Sequence, residues 1–236
     1  MVDVAVVDYG MGNLRSVEQA LRRVAPDAEI VVSDAAGVIS SAKRVVFPGQ
    51  GAMPDCMREL DARGLRDAVL DAARHKPFLG ICIGLQMLFE HSDEGNVAGL
   101  GILRGKVVRF ASGMHDAQGD KLKVPHMGWN RVHQTEPRPE GEDTIALSPS
   151  GGGKLDRGQH GNHALWDGIA QDDRFYFVHS YYVQPQDTSL VQGTSDYPQP
   201  FACAVARDNL FAVQFHPEKS STAGLKLLQN FMQWTP

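Results

Sequence analysis

The sequence predicts a three-layer α/β/α domain on a mostly parallel central sheet, with antiparallel strands added in the C-terminal half. Two patterns predict it. In the first half, short apolar runs alternate with segments of helical spacing, as strands joined by crossover helices do. In the second half, strand-like runs follow one another on short connections until a closing helix, as antiparallel pairs do.

The elements follow in order. Val2–Val7 reads as a buried strand breaking into Asp8-Tyr9-Gly10-Met11-Gly12. Leu14, Val17, Leu21 and Val24 then share one helical face within 13–24. Ile30–Val32 and Arg44–Phe47 give two more strands, the second stopped by Pro48-Gly49-Gln50-Gly51. Leu60–Ala73 is expected to be helical, Pro77–Cys82 a strand, and Gly84–His91 a helix. Further strands are expected over Ile102–Phe110, Arg174–Val178, Leu190–Ser195, Phe201–Arg207 and Leu210–Phe215, with a hairpin turn joining the last two. Thr222–Trp234 closes the chain as an amphipathic helix with Leu225, Leu228, Phe231 and Met232 on one side. Gln134–His163 is polar and rich in Gly and Pro, and reads as a surface insertion within one domain spanning 1–236.

Composition narrows the function classes. The 236 residues carry 42% hydrophobic and 22% charged side chains, enough for an ordinary buried core. A formal charge of −5 disfavours non-specific binding to nucleic acid or anionic membrane. Three cysteines without a C-x-x-C pair suggest neither a disulfide framework nor zinc, so no cofactor or metal is expected. With no signal-like N-terminus and no apolar run near 20 residues, a cytoplasmic location is expected.

The sharpest chemical signal is Gly80-Ile81-Cys82-Ile83-Gly84, a strand ending in a cysteine with glycine at both second neighbours. This is a nucleophile elbow with sulfur for oxygen. A helix starting at Ile83 favours the thiolate, and its first N–H is free for a developing oxyanion. The competing reading is an inert buried cysteine. His216-Pro217-Glu218 is the second signal: an imidazole with a carboxylate two residues on, both able to face one cleft. A surface turn competes with it. Pro48-Gly49-Gln50-Gly51 offers backbone N–H groups to an oxyanion, or is a plain turn. All three follow strand C-terminal ends, where open α/β sheets build their sites. His115, Asp116, His160 and His163 read as solvated loop residues, and Cys56 and Cys203 as filler.

Together these residues resemble the class I (triad) glutamine amidotransferases, with their G-x-C-x-G-x-Q elbow and late H-P-E. Here these stand as Gly80 through Gln86 and His216-Pro217-Glu218. Asp8-Tyr9-Gly10-Met11-Gly12-Asn13, Pro48–Met53, Pro125-His126-Met127-Gly128-Trp129-Asn130, Phe177–Tyr181 and His216–Ser220 look like the glutaminase subunits of imidazole glycerol phosphate synthase. The resemblance covers nearly the whole chain except the 134–163 stretch, which looks like extra length. It implies a flavodoxin-like amidotransferase fold. It implies Cys82 as nucleophile, His216 as base and acid, and Glu218 as its orienting partner. Backbone N–H groups at Ile83 and in Gly49-Gln50-Gly51 would form the oxyanion hole, and Gln86, Glu94, Ser180 and Tyr181 would hold glutamine. Asn13, Trp129, Tyr176 and Lys219 would face the cyclase subunit HisF, a (β/α)8 barrel completing a heterodimer in histidine biosynthesis. Many members have valine where Gln50 stands. Glycine on both sides of Gln50 suggests a cheap peptide flip, hence low activity without the partner. Amidotransferases of pyridoxal phosphate, anthranilate or guanylate synthesis, a cysteine peptidase-like hydrolase, and a non-catalytic interaction domain are the alternatives.

Overall fold

The first strand, β1 (Val4–Val7), is buried along its whole length, as a parallel strand covered on both faces must be. The computed structural model describes residues 2–116, 118–135 and 163–236. The expected insertion falls mainly on 136–162 and so lies outside the described residues.

After β1 come α1 (Leu14–Val24), β2 (Ile30–Ser33), α2 (Ala36–Ser41), β3 (Arg44–Gly49), α3 (Met53–Ala62) and α4 (Arg66–His75). Next are β4 (Phe78–Cys82), α5 (Ile83–Gln86), β5 (Phe89–Ser92), β6 (Val97–Ala98) and β7 (Leu103–Arg109). The second half adds β8 (His126–Arg131), β9 (His133–Gln134), β10 (Arg174–His179), β11 (Tyr181–Pro185), β12 (Val191–Asp196), β13 (Pro200–Arg207), β14 (Leu210–Val213) and α6 (Ser221–Gln233).

The main sheet runs β2-β1-β3-β4-β14-β13-β11-β7-β5-β6, with β12 paired to β13 and β9 to β12. The section β2-β1-β3-β4-β14 is parallel throughout. Because β2 and β3 lie on opposite sides of β1, right-handed crossovers put α1 and α2 on opposite faces. Accordingly α1 packs with α6, and α2 with α4. Beyond β14 the pairing is mostly antiparallel, and β8 with β10 forms a separate two-stranded sheet. Among the described residues no helix is long and apolar enough to cross a membrane.

Three expectations need correction. The helix expected over Leu60–Ala73 is two, because Gly64 takes φ +65° and ends α3 there. The helix expected over Gly84–His91 stops at Gln86 and gives way to β5, which joins β7. In α6 the buried face includes Leu227 and Asn230, while Leu225 and Met232 sit at its margin. Asn230 is satisfied there, donating to the carbonyls of Leu165 and Asp167 at 3.0 and 2.7 Å.

Candidate active site

Strand register brings the distant motifs together. In β3 and β4, Gly49 lies opposite Cys82; in β14 and β4, Val213 lies opposite Ile81. The chain leaving β14 toward His216 therefore runs beside the elbow. A cleft of about 250 Å³ opens there, lined by Gln50, Gly51, Cys82, Ile83, Gln86, Glu94, Ser180, Tyr181, His216 and Lys219. Pro125, Val178 and His179 complete the lining.

Cys82 sits at φ +56°, a left-handed conformation costing of order 1–3 kcal/mol in a non-glycine residue. The neighbours hold it there by leaving no room for another path. A Cβ on Gly84 would overlap the Phe47 carbonyl oxygen, and one on Gly80 would stand 2.9 Å from the Ala212 Cβ. Cys82 is 4% exposed and lines the cleft.

His216 is also 4% exposed. Its backbone N–H donates to the Tyr176 carbonyl at 2.9 Å, and its own carbonyl accepts from the Ser220 hydroxyl at 2.6 Å. Its Nδ1 lies 2.9 Å from Glu218 Oε1, whose side chain is almost wholly enclosed. Nε2 makes no hydrogen bond within the described residues and lies beside Cys82. Burial by itself pushes the imidazolium down. The charge and contact of Cys82, then of Glu218, outweigh that and hold the ring up at about 10. A raised imidazole beside a cysteine sulfur, braced by a carboxylate, is the arrangement that nucleophilic attack by sulfur requires.

The Pro48–Gly51 loop is held from beneath. Tyr9 donates its hydroxyl to the Pro48 carbonyl at 2.9 Å, and the Cys56 thiol donates to the Gln50 carbonyl at 3.5 Å. Burial pushes the Cys56 thiol up to about 11, so it keeps its proton for that contact. Cys56 is thus more than filler. The Gln50 carbonyl is spent on Cys56, which leaves the Gly51 N–H pointing the opposite way across the trans peptide. Glu94 reaches the cleft but accepts from the Met53 N–H at 2.8 Å, so one carboxylate oxygen anchors the start of α3.

Both donors of the Gln86 amide are used, on the Tyr181 carbonyl and on Gln214 Oε1, each at 3.0 Å. Sequence reading passed over Gln214, because it lies inside an apolar run that reads as core; only the register sets it beside Cys82. His179 and His126 were missed as a pair. His179 Nδ1 donates to the Tyr181 carbonyl at 2.8 Å, so its Nε2 accepts from His126 Nδ1 at 3.0 Å. Burial, reinforced by the other histidines, lowers His179 to about 3; burial lowers His126 to about 4. Both rings are neutral.

The other expected residues lie outside the cleft lining. Trp129 is half exposed on β8 and stands edge-on to Tyr176 of β10, ring centres 6.2 Å apart. Asn13 precedes α1 without capping it through its side chain. His163, expected to be solvated, instead packs 4.6 Å from Phe211 and 5.1 Å from Trp234, and burial lowers it to about 4. His160 lies outside the described residues. No group of three His, Cys, Asp or Glu among the described residues is arranged to hold a metal.

With this geometry in place, comparison with known proteins decides the family. The family model for class-I glutamine amidotransferases matches residues 5–234. The chain belongs to this family. It is 60% identical to the imidazole glycerol phosphate synthase subunit HisH of Nitrosospira multiformis, covering all of both chains. It is 59% identical to that of Thiobacillus denitrificans, over all of this chain and 92% of the relative. Within the amidotransferases it is therefore a HisH-type glutaminase subunit, not a peptidase. The full-length match also shows that the stretch taken as extra length is shared with the Nitrosospira relative. Solved structures share the fold: a glutamine amidotransferase at TM-score 0.66 with 16% identity, covering 98% of this chain and 97% of that one. A second, from Thermotoga maritima, gives 0.54 with 15% identity over 92% and 76% of the two chains.

Proposed function

We propose that Cys82, His216 and Glu218 hydrolyse glutamine and that the ammonia passes to a cyclase subunit of the HisF type. The observation that carries this reading is the His216 ring held in one cleft with Cys82 by a buried carboxylate at 2.9 Å. The thiolate attacks the carboxamide carbon, and its oxygen becomes an oxyanion facing backbone N–H groups of Ile83 and of the Gly49–Gly51 loop. As the tetrahedral species collapses, Nε2 gives its proton to the leaving nitrogen and ammonia departs, leaving a thioester on Cys82. Neutral His216 then takes a proton from water, which attacks the thioester. Glutamate leaves, and the ion pair is restored.

Ser180 and Tyr181 hold the substrate from the corner between β10 and β11, and Lys219 borders the same cleft. Trp129, Tyr176, Lys219 and Asn13 form the partner-facing side. Supporting this, Met127 and Trp129 are 62% and 50% exposed, unusual for large apolar side chains. The cyclase makes imidazole glycerol phosphate and the carboxamide ribotide AICAR. Cys82→Ala tests the reading in the complex with the cyclase. Glutamine-dependent synthesis should vanish while ammonia-dependent synthesis persists; loss of both would overturn it.

A further inference from the structure

We infer that Gln214 is a further catalytic residue, donating a side-chain N–H to the sulfur of Cys82, and that Gln86 is the positioning residue that fixes its orientation. The inference rests on Cys82 being the nucleophile. Its basis is a chain of hydrogen bonds that starts at a backbone carbonyl. The Tyr181 carbonyl can only accept, so the group that Gln86 turns toward it at 3.0 Å is the NH2. The same NH2 meets Gln214 at 3.0 Å, so Gln214 must present its oxygen there. Its own NH2 is thereby turned the other way, onto Cys82 Sγ at 3.8 Å, within reach for a sulfur acceptor. Flipping Gln86 would set oxygen against the Tyr181 carbonyl, and flipping Gln214 would set its NH2 against that of Gln86.

Burial argues that the chain is built and not incidental. Gln214 is 0% exposed and both ends of its amide are bonded, as an amide placed so deep requires; Gln86, 1% exposed, uses its NH2 twice while its Oε1 finds no partner among the described residues. The chain leaving the Val213–Ile81 pair brings Gln214, two residues before His216, within reach of Cys82. Sulfur carries negative charge at two points: as the attacking thiolate and as the group that leaves when water opens the thioester. A fixed N–H aimed at sulfur favours both, and His216 cannot serve the second while it handles the proton of water.

Alkylation of Cys82 by iodoacetamide, followed by mass spectrometry from pH 5 to 9 on the full chain, tests this. In Gln214→Met the reactivity profile should move up by about one pH unit, the tenfold loss expected for one missing bond to a charged group. In the complex with the cyclase, kcat for glutamine should fall about tenfold with KM nearly unchanged. Gln214→Asn keeps an amide but falls one methylene short of the sulfur, so it should shift the profile in the same direction, and it guards against misfolding of the Met variant. An unshifted profile in either folded variant overturns the inference. If wild-type Cys82 reacts no faster than buried Cys203, the nucleophile assignment itself fails; fast wild-type reaction with unshifted variants sinks only the role of Gln214.

Discussion

His216 and His179 border the same cleft, both nearly inaccessible, yet one is held up at about 10 and the other pressed down to about 3. Burial disfavours the charged ring in both. The difference lies in their partners. His216 has sulfur on one side and a carboxylate at 2.9 Å on the other. His179 has only a carbonyl and another neutral imidazole. The comparison teaches that in this cleft charge follows designed contacts, and that a buried histidine near the nucleophile can serve purely as scaffold.

The comparison is broken most severely at His216 itself. His216→Asn should lower glutamine hydrolysis by about 10³–10⁴, the upper range for a residue acting as both base and acid, with ammonia-dependent synthesis retained. Initial rates with each nitrogen source check it. Glu218→Gln should move the His216 titration part of the way down, since the larger contribution of Cys82 remains, and kcat should fall by about 10². An NMR titration of the ring alongside steady-state rates would show both.

Stability against pH should separate the two sites by direction. His216 is raised above its unfolded value near 6.5, so its contribution is complete below that value and is lost as pH rises toward 10. His126 and His179 are lowered, so theirs is present above about 6.5 and is lost as pH falls toward 4 and 3. Each should lose about 1 kcal/mol per pH unit across its window. Urea unfolding at pH 5.5, 6.5, 7.5 and 9 reads both limbs. His126→Gln should flatten the acid limb, and Glu218→Gln the alkaline one. The smallest effect is expected at Asn130, which donates to His126 Nε2 at 3.3 Å and to the Asp196 carbonyl at 2.9 Å. Asn130→Ala should cost about 1 kcal/mol of stability without changing the protonation of His216.

What the sequence disclosed divides along the same line. The elbow and His216-Pro217-Glu218 were legible because glycine, proline and charge break an apolar pattern at strand ends. The parallel half was legible because its strands are continuous apolar runs. β5 was not, since Leu85-Gln86-Met87-Leu88-Phe89 reads equally as helix; its pairing with β7 decides it. β8 holds Gly128 at its centre and turns His126 inward while Met127 and Trp129 face out, the reverse of the usual strand pattern. Gln86, Gln214 and the His126–His179 pair owe their roles to register and to hydrogen bonds between residues far apart in sequence, which no local pattern encodes. Glu94 lines the cleft, and its tie to Met53 was invisible for the same reason.

The most direct measurement is the protonation of the His216 ring nitrogens by ¹⁵N NMR at pH 8, in the wild-type chain and in Cys82→Ser. The account predicts an imidazolium in the wild type and a neutral ring once the sulfur charge is gone. A neutral ring in both proteins would contradict it.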